Sequence, residues 1–120
     1  MGGENSGQFV RLFMVRGMEH CDLGRGGGLF GQTGKGTPYD ADHDVNLAME
    51  RWVERGIAPE KINAMRPLPP ASGSAPPAIR SRPLCPYPKV ARWKGQGSTD
   101  QAANFACVDP AAAAASGSKL

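Results

Sequence analysis

Residues 9–15 of this 120-residue chain read Phe-Val-Arg-Leu-Phe-Met-Val, an apolar run that only Arg11 interrupts. A short run that is apolar on both alternating faces is typical of a strand buried on both sides, as in a parallel sheet. Gly17 ends the predicted strand, and a loop that carries His20 follows it directly. We therefore expect a core strand of an α/β sheet with a histidine just after its carboxyl end.

Such a strand needs neighbouring strands and covering helices, and the rest of the chain offers few. Other strand candidates are weak, at residues 61–65 and 78–84. Leu, Ile, Val and Phe together make up 20 of the 120 residues, which is below the level expected of a well-cored globular domain. The net charge of +3 is too small for self-repulsion of the chain to explain this low content of large apolar residues. The composition excludes a large self-sufficient enzyme and indicates a fragment of a larger fold.

The clearest helix signal lies in the middle of the chain. Five apolar residues recur at the spacing of a single helical stripe: Val45, Ala48, Met49, Trp52 and Val53. Three acidic residues precede the stripe, where carboxylates can cap free N–H groups: Asp40, Asp42 and Asp44. Arg55 and Gly56 are typical of a helix end. The pattern predicts one amphipathic helix.

Beyond this helix the sequence favours loops. Residues 67–88 contain eight prolines, which is typical of extended, loop-like chain. Residues 92–107 are short of apolar side chains and contain several turn formers. We expect residues 109–120 to form a disordered Ala-rich tail, so that the domain comprises residues 1–108.

Membranes and nucleic acids are not expected partners. No window approaches the ~20 apolar residues that a membrane-spanning helix needs. Residues 1–8 are polar and lack the charged start and apolar run of a signal peptide. Residues 80–94 carry five basic side chains, so a nucleic-acid patch is conceivable. A proline-rich surface segment is the better interpretation of the same residues.

Four blocks of the sequence, in the same order, resemble segments of the tannase and feruloyl esterase family. The first block ends in the pair His20-Cys21, and the others resemble the family's "WVE-G-AP-I", "RPLCPYP-VARY-G" and "AANF-C" segments. These blocks are residues 13–21, 48–62, 82–95 and 102–107. Arg16 and Glu19 depart from the family's usual proline and small residue. The resemblance extends over about residues 9–108.

The resemblance implies the C-terminal part of an α/β-hydrolase, with a last core strand, a histidine loop, one amphipathic helix and a disulfide-closed irregular tail. It implies a carboxylic ester hydrolase that acts on aromatic acid esters of the feruloyl or galloyl type through a Ser-His-Asp triad. His20 would be the catalytic histidine. The sequence contains no Gly-x-Ser-x-Gly elbow, and no Asp precedes His20. A histidine without its serine forms no acyl-enzyme, so we expect the chain to be inactive alone.

The three cysteines have specific roles in the family. The resemblance implies a disulfide between Cys85 and Cys107, and a disulfide from Cys21 to a cysteine beside the nucleophilic serine, which this chain lacks. The alternative is three free thiols in a reducing compartment. We expect no cofactor and no metal. The spacing of the cysteines is not that of a zinc site, and the calcium that the resemblance implies belongs to a lid domain outside this chain.

The resemblance implies a secreted or periplasmic parent enzyme, although this chain shows no signal peptide. The terminal Ser118-Lys119-Leu120 matches a peroxisomal address and is kept as an alternative. An aromatic ester substrate is expected only for a full-length parent, and the missing N-terminal part of the hydrolase is a possible partner. A second hypothesis is a small non-catalytic binding or interaction protein built on the same scaffold. Ester-hydrolysis assays with and without the upstream segment separate the two.

Overall fold

The computed structural model describes residues 6–21, 24–32, 36–69, 73 and 78–115. Within these residues, the elements that can be bounded are two helices, one 3₁₀ turn and four short strands, which form a small mixed α/β structure. In chain order they are α1 (Val45–Arg55), β1 (Ile62–Pro67), β2 (Ile79–Leu84), β3 (Val90–Trp93), the 3₁₀ turn (Ala102–Asn104), β4 (Phe105–Val108) and α2 (Pro110–Ala115).

The strands form two separate antiparallel pairs. Strands β1 and β2 pair over their full lengths, from Ile62 opposite Leu84 to Pro67 opposite Ile79. Strands β3 and β4 pair from Val90 opposite Val108 to Trp93 opposite Phe105. The two weak strand candidates are thus confirmed as β1 and β2, which supply each other's backbone partners. The second pair was not predicted, because each of its strands has only four residues and little apolar alternation.

Helix α1 confirms the predicted helix and both of its ends. The Asp44 Oδ1 atom accepts hydrogen bonds from the backbone N–H groups of Asn46, at 2.8 Å, and Leu47, at 3.3 Å. Gly56 takes up the left-handed conformation at φ 69° and donates its N–H to the Trp52 carbonyl. Both ends are closed by groups next to the helix in sequence, as capping requires.

The apolar stripe of α1 is only partly covered. Ala48 is buried and Trp52 is half-buried, but Met49 is 55% exposed and Val53 is 77% exposed. A helix of this kind is stabilised mainly by packing its apolar face against a partner. Within the part of the chain that the structure describes, that face lacks a full partner.

The predicted strand over residues 9–15 was wrong for this structure. The segment is mostly without regular structure and makes one isolated bridge, between Phe13 and Pro86. The Tyr87 N–H also donates to the Leu12 carbonyl at 2.7 Å. The side chains of Phe9 and Met14 are more than half exposed. A buried strand needs neighbours on both edges, and among the described residues the backbone of this segment pairs with a distant segment only at residues 86–87. Its other distant contacts run through the Arg11 side chain, which reaches Glu60 and the Trp52 ring.

The core is correspondingly small and lies against β1. Ile62 and Ala64 of β1 are buried at 1% and 0% exposure, and Cys85, just after β2, and Phe105 of β4 are also buried. The tail prediction also needs a correction. Residues 110–115 form α2 rather than disordered chain, while residues 116–120, with the terminal Ser-Lys-Leu, lie outside the described residues.

Among the described residues, no helix is both long and apolar enough to cross a membrane.

Candidate active site

The loop that carries His20 is closed at its base by backbone contacts. The Gly26 N–H donates to the Gly17 carbonyl at 2.9 Å, and Met18 forms an isolated bridge with Gly24. Gly17 and Gly24 have φ values of 71° and 105°, which residues with a side chain rarely adopt. The loop therefore turns back on itself and presents His20 at its tip, exposed to solvent.

His20 and Cys21 contact each other at this tip. The Cys21 Sγ atom lies 2.8 Å from His20 Nδ1 and 4.0 Å from Nε2. Cys21 is a free, exposed thiol, and its φ of 68° is left-handed. That conformation costs a residue with a β-carbon roughly 1–2 kcal/mol. Within the described residues, Cys21 provides the hydrogen-bonding contact of the His20 imidazole. Because imidazole is the side chain most often used to move protons in catalysis, His20 is the candidate catalytic group of this loop.

Gln32 joins the loop to the segment that follows it. Its Nε2 atom donates to the Cys21 carbonyl at 3.1 Å and to the Gly28 carbonyl, and its Oε1 atom accepts from the Phe30 N–H at 2.9 Å. The next link leads to the core, because Leu29 and Met65 of β1 exchange hydrogen bonds at 3.1 and 2.8 Å. Sequence reasoning missed Gln32, since a glutamine in a glycine-rich stretch carries no local signal.

Gly26 leaves no room for a side chain at the base of the loop. A β-carbon at this position would collide with the carbonyl oxygen of Arg16. We expect Gly26→Ala to lower the free energy of unfolding by about 1–3 kcal/mol, the usual cost of overpacking. Urea denaturation followed by circular dichroism measures the change.

The matched control is Gly73→Ala, because nothing lies within 4 Å of a β-carbon at Gly73. It should change stability by less than about 1 kcal/mol in either direction. Equal unfolding midpoints for the two variants would contradict the close approach of Gly26 to Arg16.

The acidic residues at the start of α1 are used locally. Asp44 caps the helix, Asp42 lies 3.4 Å from Arg51, and Asp40 lies 2.7 Å from His43 Nδ1. Burial would raise the pKa of Asp40, but hydrogen bonds from His43 and the Asp42 backbone together lower it. These contacts agree with their interpretation as helix-start residues. Among the described residues, no group of three or more His, Cys, Asp or Glu could hold a metal ion.

The disulfide implied by the resemblance is present in the structure. Cys85, just after β2, is bonded to Cys107 in β4, with a Cα–Cα distance of 5.5 Å. It therefore joins the β1–β2 pair to the β3–β4 pair. The resemblance implied an irregular tail closed by this disulfide. The structure instead has the antiparallel strands β3 and β4 there, which supply each other's backbone partners.

Several curated proteins are similar to this chain over most of its length. An uncharacterized esterase of Xanthomonas campestris is 51% identical over 107 residues, which cover 85% of this chain and 18% of that protein. The mono(2-hydroxyethyl) terephthalate hydrolase of Piscinibacter sakaiensis is 43% identical, over 85% of this chain and 14% of the hydrolase. A probable feruloyl esterase B-2 of Aspergillus terreus is 34% identical, over 90% of this chain and 20% of that protein. The chain thus spans about a fifth or less of these relatives.

Solved structures and a family model agree with these relatives. The crystal structure of an esterase from Aspergillus oryzae matches 89% of this chain and 21% of its own, with a TM-score of 0.72 and 32% identity. Feruloyl esterase B from the same organism matches 90% of this chain and 20% of its own, with a TM-score of 0.69 and 31% identity. The model described as "Tannase and feruloyl esterase" matches residues 1–108. The chain therefore belongs to the tannase and feruloyl esterase family.

Proposed function

We propose that this chain is the C-terminal part of a carboxylic ester hydrolase and supplies the histidine of its Ser-His-Asp triad, His20. The observation that carries the proposal is the family match over residues 1–108. Within that stretch, His20 lies at the exposed tip of a closed loop. An exposed imidazole on a backbone-anchored loop is free to meet groups from another segment of polypeptide. The serine and the aspartate would come from polypeptide outside this sequence.

In this mechanism His20 moves a proton twice. Its Nε2 atom takes the proton of the serine hydroxyl as the serine attacks the ester carbonyl, and then returns a proton to the leaving alcohol. The triad carboxylate would accept a hydrogen bond from Nδ1 and hold the ring. Nδ1 now contacts Cys21 at 2.8 Å, so this contact would be exchanged for the carboxylate when the triad is complete.

The proposed substrates are esters of aromatic acids. Two of the relatives are named for such acids, one as a probable feruloyl esterase and one as a terephthalate ester hydrolase. We further propose that the parent enzyme is secreted or periplasmic, because the disulfide between Cys85 and Cys107 is of a kind that persists in oxidising compartments. Cys21, a free thiol here, would then pair with a cysteine near the serine.

A hybrid esterase tests the proposed function. Residues 1–108 of this chain replace the matching segment of the Xanthomonas esterase, which is 51% identical. We expect the hybrid to hydrolyse methyl ferulate faster than methyl acetate. The present chain alone should not raise the rate above buffer, since neither serine nor aspartate of the triad accompanies His20. The unmodified esterase, assayed on both esters under the same conditions, sets the reference rate for the hybrid.

Two outcomes contradict the proposal. One is a hybrid that folds, by circular dichroism and gel filtration, yet hydrolyses neither ester. That outcome favours the non-catalytic binding protein. The other is ester hydrolysis by the isolated chain at a rate that survives replacement of His20, which would place the chemistry elsewhere in the molecule.

A further inference from the structure

A cleft with a volume of about 540 Å³ opens between the paired strands and the base of the histidine loop. Five cationic side chains line it: Arg16, Arg25, Arg80, Arg82 and Lys89. Among the described residues that line the cleft, none is aspartate or glutamate, and neither His20 nor Cys21 is included. Positive charge is therefore concentrated around one concave surface.

This charge is only partly balanced by the protein. Arg80 pairs with Asp100, with 2.7 Å between Nε and Oδ1. Within the described part of the chain, the other four cations of the cleft have no carboxylate within 4 Å. Burial, together with the neighbouring charge of Arg80, lowers the pKa of Arg82, while Asp100 opposes that shift. Repulsion between like charges remains, and a bound anion would relieve it.

The two arginines of β2 are held in place by their neighbours. The Arg82 Nε atom donates to the Thr99 carbonyl at 2.5 Å, and its guanidinium lies 4.7 Å from the centre of the Phe105 ring. The Arg80 Nε atom is bonded to Asp100. A guanidinium has five N–H donors, so each arginine keeps donors for a ligand while its Nε atom is engaged. Such prior ordering lowers the entropy cost of binding.

The same cleft also has an apolar lining. Met14, Leu84, Val90 and Phe105 contribute to it, and Met14 exposes 61% of its surface. A ligand that fits both features carries a negative group and an apolar body. Carboxylates match the fork of an arginine in two parallel hydrogen bonds, and the volume lies in the range of small-molecule sites.

We propose that this cleft binds a small carboxylate with an apolar body, with its acid group against the arginines and its body against the apolar lining. The proposal goes beyond ester hydrolysis and does not depend on it, since binding needs neither His20 nor a serine. Free aromatic acids are also the products that the proposed hydrolase would release. The proposal does not require the cleft to take part in ester hydrolysis.

Benzoate titration of the present chain, followed by two-dimensional NMR of ¹⁵N-labelled protein, tests the proposal. Benzamide has the same ring and shape without the charge, and inorganic phosphate has charge without a ring. We expect benzoate to bind at least tenfold more tightly than either, with shifts at Ala91 and Phe105, and to weaken as salt is raised. Equal affinity for benzamide or for phosphate overturns the proposal, as does the absence of saturable binding.

Charge-removing variants locate the site. Arg25 and Lys89 are exposed, so the double variant Arg25→Gln/Lys89→Gln should leave the fold intact and raise the dissociation constant of benzoate at least fivefold. The control is Arg51→Gln/Arg55→Gln in α1. It removes two positive charges from residues that do not line the cleft, and should change the dissociation constant of benzoate less than twofold. Unchanged spectra without ligand verify the fold of each variant. Equal effects in both pairs would show general electrostatic attraction and overturn the site.

Discussion

Replacement of His20 by alanine is expected to lower kcat of the hybrid esterase by about 10⁴-fold or more, because a triad without its histidine loses both proton transfers. KM should change little, since the imidazole contributes mainly in the transition state. Initial rates on methyl ferulate over a range of concentrations separate the two constants. The loop itself should survive, because the hydrogen bond from the Gly26 N–H to the Gly17 carbonyl closes it and the His20 side chain is exposed.

The matched control is His43→Ala in the same hybrid. His43 also forms a hydrogen bond with a neighbouring side chain through Nδ1, in its case with Asp40 at 2.7 Å, and it lies in the turn just before α1. Its removal should change kcat less than twofold. If His20→Ala retained more than a tenth of the activity, or if His43→Ala caused the larger loss, His20 would not be the triad histidine.

Loss of the disulfide is expected to lower the free energy of unfolding of the chain by about 3 kcal/mol. The bond closes a loop with a sequence separation of 22, and the chain-entropy model assigns that value to a loop of this length. Small domains are stabilised by only about 5–15 kcal/mol in total, and the buried apolar side chains are few here. Cys85→Ala/Cys107→Ala, followed by urea unfolding, measures the loss.

Two further samples identify its cause. The unaltered chain in dithiothreitol should lose nearly as much stability as the double variant, since both lack the crosslink while only the variant lacks the sulfur atoms. Cys21→Ser should change stability by no more than about 0.5 kcal/mol, as is usual at exposed positions, because Cys21 is free and exposed. A double variant that unfolds at the midpoint of the original chain would contradict the prediction.

The clearest agreement between sequence and structure is helix α1. Asp44 and Gly56 lie next to the helix they close, so capping depends on a few neighbouring residues and is visible in the sequence. The same pattern predicted an apolar stripe on one face. It did not show that Met49 and Val53 would be left exposed, because burial depends on what packs against a face.

The strands show the opposite behaviour. The strongest candidate, residues 9–15, makes one bridge, while two weak candidates pair along their full lengths. A strand forms only where another segment accepts and donates its backbone hydrogen bonds, so apolar character alone does not decide it. Strands β3 and β4 were missed because each is short and shows little apolar alternation, and because their partners are set by the tertiary structure.

The candidate site divides in a similar way. The pair His20-Cys21 and the family blocks could be found in the sequence, because they are contiguous residues of specific type. Gln32 and the cationic cleft could not, since Gln32 reaches back eleven residues to Cys21 and the cleft combines residues from distant segments.

The sequence by itself determined the family, the ends of α1 and the histidine loop, because short-range motifs and capping groups act between residues that are neighbours in the chain. Only the tertiary structure decided which strands pair, which apolar faces are covered and where the cationic side chains meet. Backbone pairing, burial and charge crowding all depend on distances between segments far apart in sequence, and folding alone brings those segments together.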